Sequence, residues 1–287
     1  MGDLGEHESA SRDSVSRPVI VRRVLLLVGV AALGLLFLVG LINLVAPRTL
    51  GRLLAGPATP VPSPTPRQPR AAIIDQTGMS FPSPDFITQA EAILEQGGYA
   101  VTHHPPEEIT VNFYRTLPAD GYNFILFQSH ATSQVVARDG GQSDRPPGPF
   151  LFTTEEYEAQ SYVSLQLTDQ VRASQLFYED SPELFAVGPK FVRRTMQGFF
   201  PGTIIIIGGC QSLAAPDLAQ SFLDKGASVV IGWDGMVNLS HNNEAVLVLL
   251  QEMVVNNASS EQAVETAMAE VGPDPQFESA LNLMRQN

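Results

Sequence analysis

Residues 24–42 form an unbroken apolar run rich in Leu, Val and Gly. A helix over that run is about 28 Å long at 1.5 Å per residue, which matches a hydrocarbon core of ~30 Å. The run therefore divides the chain into a short tail (1–23), a membrane-spanning helix (24–44) and a long remainder on the other side. Arg12, Arg17, Arg22 and Arg23 precede it, and only Arg48 and Arg52 follow closely. That excess favours a cytoplasmic N-terminus and an extracytoplasmic C-terminal part at the cell membrane. The run exceeds the 7–15 apolar residues of a signal peptide, and no small-x-small cleavage site follows Leu44. Pro57, Pro60, Pro62, Pro64, Pro66 and Pro69 then crowd residues 45–70. Proline this dense favours extended polyproline II, so the segment reads as a semi-rigid stalk. Residues 71–287 are expected to form the extracytoplasmic domain.

Charge narrows what that domain meets. Residues 1–70 hold eight Arg and four acids, which leaves nine basic and 26 acidic residues, a balance of −17, for 71–287. Such a surface repels phosphate backbones, so nucleic acid is not an expected partner. Cys210 is the one cysteine. An intrachain disulfide and any multi-cysteine metal site are thereby excluded. Outside the reducing cytoplasm a lone thiol is either buried and inert or kept for its reactivity.

From residue 71 onward, strand and helix signals alternate. Residues 71–75 (AAIID) read as a strand, and Ser83-Pro84 opens a helix that Gly97-Gly98 stops. A strand follows at 99–102, a helix at 107–115, and a strand at 122–128 (YNFILFQ) that ends on Ser129-His130. Residues 139–149 are a Gly/Pro loop carrying Arg145, just after Arg138. Possible strands lie within 151–185, with no readable register. A helix is expected at 190–200. Residues 203–207 are the most hydrophobic strand and run straight into Gly208-Gly209-Cys210. A helix at 216–225, a strand at 228–231 and three helical stretches (241–255, 260–270 and 275–285) complete the chain. Ser259 with Gln262 makes a capping box for the second of these. Alternation with continuous apolar strands predicts an α/β fold, a mostly parallel sheet flanked by helices on both faces. In such sheets ligands bind beyond the carboxyl ends of the strands. His130, Cys210 and Asp234 all fall just past such ends.

Thiolate attack on a carbonyl needs a thiol, a base beside it, and donors for the developing oxyanion. Cys210 supplies the thiol, and His130 can take its proton and later return one to a leaving amine. The N–H groups of Cys210 and Ala131 are candidate oxyanion donors. These residues resemble the caspase-haemoglobinase fold of cysteine peptidases, a group that includes caspases, clostripain and gingipain relatives, separase and bacterial CHAT domains. The likeness rests on the strand ending in Ser129-His130, on 203–212 (TIIIIGGCQS), and on 218–232 (LAQSFLDKGASVVIG) followed by Trp233-Asp234. It spans roughly residues 71–257. It implies an endopeptidase with a His130–Cys210 dyad, no metal or organic cofactor, and a peptide or protein substrate. By the same likeness Asp234 lines the S1 pocket and selects Arg or Lys, a carboxylate facing a guanidinium. Ala131 departs from the Gly usual after the His, and its N–H can serve only if the backbone avoids positive φ.

Two other readings compete. One is a caspase-like binding module without turnover. The other is a Cys-type α/β-hydrolase, prompted by Gly208-x-Cys210-x-Ser212, in which His241 would be the base. His103-His104 is not a metal pair, because adjacent strand residues face opposite sides. An Arg-selective pocket beside the 139–149 loop would also make self-cleavage at Arg145 an expected side reaction.

Overall fold

The computed structural model describes residues 33–36, 68–132, 148–176 and 180–286. The chain divides into two compact units, Met1–Pro66 and Arg67–Asn287. In the first, only residues 33–36 are described, and they are helical. The rest of the expected anchor and most of the stalk lie outside the described residues. Among the described residues no helix is long and apolar enough to cross a membrane.

The second unit is built on a six-stranded sheet. Its strands are β1 (Arg70–Asp75), β2 (Ala100–His104), β3 (Phe124–Gln128), β8 (Ile204–Gly208), β9 (Val229–Trp233) and β10 (Leu281–Arg285). They lie in the order β10-β9-β8-β3-β1-β2. All neighbours pair parallel except β10, which runs antiparallel along β9. Every residue of β3 and β9 is buried, as continuous apolar strands between two helical layers require.

Strand alternation sorts the core. Ala72, Ile74, Ile125, Phe127, Ile205 and Ile207 point to one face. There they meet α2 (Val111–Thr116), α4 (Pro189–Arg194) and α5 (Asp217–Leu223) through Tyr114, Phe191 and Phe222. Ile73, Phe124, Leu126, Ile206 and Ile231 point to the other. That face is covered by α1 (Pro84–Gln96), α6 (Leu239–Leu250) and α7 (Ser260–Glu270). The capping box of α7 forms as expected, with Ser259 and Gln262 each accepting from the other's backbone N–H.

Two expectations need correction. The helix expected at 107–115 is a 3-10 turn at Pro106–Glu108 and then α2, restarted by Thr110, whose side chain accepts from the Phe113 N–H. The helix expected at 275–285 is strand β10. Leu281 and Leu283 pack with the α6 face and Met284 with the opposite one, so the period there is two. Pairing with β9 overrides the helix propensity of this Leu-, Asn- and Met-containing stretch. The unregistered region holds a second sheet, β4 (Ala131–Thr132), β5 (Phe150–Glu156), β7 (Glu183–Val187) and β6 (Val171–Gln175), all antiparallel in that order. A short helix α3 (Val163–Leu167) lies between β5 and β6. Most of the 139–149 loop, Arg145 included, lies outside the described residues.

Candidate active site

The path through the sheet begins at β1, steps outward to β2, then crosses to β3 on the other side of β1. Adjacent strands leave in opposite directions there, which opens a crevice at their carboxyl ends. The register then sets which residues meet. Asp75 pairs with Gln128, and Gln128 with Gly208. Two residues past that last row stand His130 and Cys210, on neighbouring strands whose spacing is about 4.8 Å. Both line one cavity of about 260 Å³, together with Thr77, Phe81, Val237 and Phe277.

His130 is clamped between the two sheets. Its carbonyl accepts from Phe152 N–H at 3.0 Å, the first bond of the β4–β5 ladder. Its own N–H donates to Gln76 Oε1 at 2.8 Å, and Gln76 Nε2 donates to the Thr153 carbonyl at 3.1 Å. Ser129 Oγ lies 3.0 Å from the His130 carbonyl and 3.4 Å from Gln76 Oε1. The ring sits between Phe81 and Phe152, with centroids 5.8 and 6.0 Å away. Its Nε2 is buried with no hydrogen-bond partner. Burial among these rings pushes the imidazole down to about 4, so it is a neutral base at physiological pH.

Cys210 is set by a close approach of backbones. A Cβ on Gly209 would lie 2.0 Å from the Ser129 carbonyl oxygen and 3.4 Å from the Ala131 nitrogen. Only glycine fits there, and the reason is this contact rather than a positive φ, which Gly209 lacks. A Cβ on Gly208 would likewise meet Gln128 Oε1 at 2.9 Å and the Asn242 amide at 3.1 Å. Past the thiol, Gln211 N–H donates to Gly235 O and Leu213 N–H to Trp233 O, tying the Cys210 turn to the end of β9. The Cys210 sulfur lies 3.4 Å from both the carbonyl oxygen and the N–H nitrogen of Val237. Burial pushes this thiol up, the Val237 and Cys210 N–H groups draw it partly back, and the Asp274 carboxylate adds to the rise. The resting pair is therefore a neutral imidazole and a protonated thiol, not a thiolate–imidazolium ion pair.

Of the two expected oxyanion donors, Ala131 stands opposite Leu151 in a ladder whose adjacent bond joins Phe152 to His130. That alternation turns the Ala131 N–H away from β5 and toward Gly209. Ala131 is not among the residues of positive φ, so the methyl group costs nothing. Among the described residues the Cys210 N–H donates to no backbone carbonyl, and it acts on its own sulfur.

Asp234 stands apart from these residues. Its carboxylate accepts from Ala280 N–H and from Asn282 Nδ2, both at 2.9 Å, and it does not line the cavity. It fastens β10 to β9. His241 is also elsewhere, with Nε2 3.0 Å from Gly272 O and its ring against Trp233. His103 and His104 face opposite ways, toward Asp75 and toward Tyr122 with Glu108. Among the described residues no group of three His, Cys, Asp or Glu is arranged to hold a metal ion.

Sequence reasoning missed three contributors. Gln76 follows a strand end just as His130 and Cys210 do, so the same rule would have found it. Asn242 is buried and accepts from Trp233 Nε1 at 2.8 Å while donating to Gln128 Oε1 at 3.2 Å, bracing the cavity floor. Asp274 accepts from the N–H groups of Asn238, Gln276 and Phe277, fixing two stretches of cavity wall. Burial pushes its carboxyl up, but these donors outweigh it and hold the group below the ordinary range. Neither Asn242 nor Asp274 carried a sequence signal. No known family model matches the chain, and no curated protein does.

Proposed function

We propose that the chain is a membrane-anchored, extracytoplasmic cysteine endopeptidase of caspase-like fold, with His130 and Cys210 as its dyad. The observation that carries this reading is the convergence of the two side chains on one cavity from adjacent parallel strands in the same row. The neutral His130 fits the role of base. It takes the Cys210 proton as the sulfur bonds to the substrate carbonyl carbon, and the C=O electron pair moves to oxygen. The N–H groups of Ala131 and Cys210 would donate to that oxyanion. Its collapse re-forms C=O and breaks the C–N bond, and protonated His130 gives its proton to the departing amine. Water, deprotonated by His130, then attacks the thioester, and the proton returns to the sulfur as the acid leaves.

The anchor rests on the apolar run at 24–42 and the flanking Arg residues. A basic P1 preference rests on the resemblance alone, because Asp234 is engaged outside the cavity. The contact between Cys210 and Val237, with the thiol raised by burial, favours a second reading: a caspase-like binding module that does not turn over. The α/β-hydrolase alternative has no support from His241, which is bonded to Gly272 O.

The test is digestion of a mixed peptide library by the full chain in mild detergent and reductant, read by mass spectrometry. Cleavage lost in both Cys210→Ala and His130→Ala supports the peptidase. Cleavage that survives Cys210→Ala removes it, and an inert wild type favours the binding module.

A further inference from the structure

The cavity beside Cys210 has the wrong chemistry for a cationic side chain. Phe81 and Phe277 are 46% and 40% exposed, and both line this cavity. Large exposed rings gathered at one concavity mark a place where apolar surface is covered by something else. Met236, Val237 and Leu239 continue the same wall. Among the described lining residues there is no Asp, Glu, Lys or Arg.

Apart from the His130 imidazole, the amide side chains that reach the cavity are already engaged. Asn242 is held by Trp233 and Gln128, and Asn238 Nδ2 donates to Asp274. Asp274 is the nearby carboxylate, but it is 1% exposed and its oxygens accept from Asn238, Gln276 and Phe277. A guanidinium or ammonium entering here would lose its hydration and find no carboxylate among the described lining residues to pair with directly, only the Asp274 charge already held by its own donors. An apolar group would instead bury its surface against two rings and three aliphatic side chains. A cavity of about 260 Å³ has room for an aromatic ring, since roughly 150 Å³ suffices for benzene.

Geometry ties this subsite to the scissile bond. The attacked carbonyl carbon must come within about 3–3.5 Å of the Cys210 sulfur. The side chain on the carbon next to that carbonyl then falls into the same cavity. We infer that the residue whose carbonyl Cys210 attacks carries an uncharged aliphatic or aromatic side chain, with Phe81 and Phe277 as the specificity-determining walls. The inference rests on the peptidase reading for the word "attacks", but the apolar subsite can be tested without turnover.

Two measurements on the full chain in detergent separate the claims. The first compares hydrolysis of peptides differing only in the residue before the scissile bond. Leu or Phe there is expected to give kcat/KM at least about tenfold above Arg. Phe277→Glu is expected to reverse that order by placing a carboxylate in the wall. The second uses the single cysteine: N-acetyl-leucinamide and N-acetyl-argininamide compete with iodoacetamide at alkaline pH, and intact mass reports protection of Cys210. Selective protection by the leucine amide supports the apolar subsite even if no peptide is cut, an outcome that would overturn only the peptidase. Preference for Arg in hydrolysis, or protection by the arginine amide equal to or above that by the leucine amide, would overturn the inference.

Discussion

Replacing Gln76 with Leu should disable the clamp on His130 while keeping side-chain bulk. Gln76 is fully buried, as are Ser129 and Thr153. Its Oε1 is the acceptor for the His130 N–H at 2.8 Å, and its Nε2 serves the Thr153 carbonyl at 3.1 Å. Leu leaves that N–H buried without an acceptor, which costs about 1–3 kcal/mol. Loss of the second bond adds roughly 1 kcal/mol, for a total of about 2–4 kcal/mol. Against a domain stability of roughly 5–15 kcal/mol that is a large fraction, visible without abolishing folding. Trp233 is the only tryptophan and is fully buried on the sheet that carries the site. Urea unfolding followed by its fluorescence is therefore the assay. Gln68→Leu is the control, because it removes only an exposed bond to Gly98 O and should change stability by no more than about 0.5 kcal/mol. Equal stability of Gln76→Leu and wild type would refute the clamp.

Gly209→Ala forces a Cβ to within 2.0 Å of the Ser129 carbonyl, with backbone on both sides and nothing able to yield. It should cost about 3 kcal/mol or more in the same unfolding assay, and an unchanged midpoint would contradict the close approach of the two strand ends. Asp234→Ala should loosen β10, seen as faster hydrogen exchange at Ala280, for about 1–2 kcal/mol because both bonds are exposed. The same variant should leave P1 preference untouched, and a changed preference would restore Asp234 to the substrate pocket. Acid should expose the buried imidazole. Folded His130 titrates near 4 and an unfolded one near 6.5, so below about 6.5 only the unfolded chain takes the proton. Its stability penalty grows as pH falls from 6.5 to 4, reaching about 3 kcal/mol. His130→Gln should flatten that part of the stability–pH curve, and a slope identical to wild type would contradict burial of the neutral ring.

The core strands were legible because they announce themselves. The 204–207 and 124–127 runs are apolar at every position, and such strands have one place to go, the centre of a covered parallel sheet. Their ends carried the site with them, so His130 and Cys210 could be paired across 80 residues. What escaped depended on contacts between distant segments. The β4–β7 sheet is made of short strands with polar interruptions, such as Arg172, Ser174 and Glu155, and its β5–β7 pairing joins residues as far apart as Leu151 and Val187. β10 looked helical by propensity and became a strand because β9 offered an open edge. The pairing of β10 with β9 is also what engages Asp234, whose pocket role came from the resemblance. The need for glycine at 209 comes from the Ser129 carbonyl crowding against it, a contact between segments 80 residues apart.

Covalent capture of Cys210 by an electrophilic peptide, located by peptide mass spectrometry on the full chain, tests the dyad most directly. A peptidyl acyloxymethyl ketone should modify Cys210 in the wild type and at least about tenfold more slowly in His130→Ala, since proton removal by His130 is what makes the sulfur nucleophilic. Equal labelling of the two proteins would show that the shared cavity does not couple them, and would contradict the dyad.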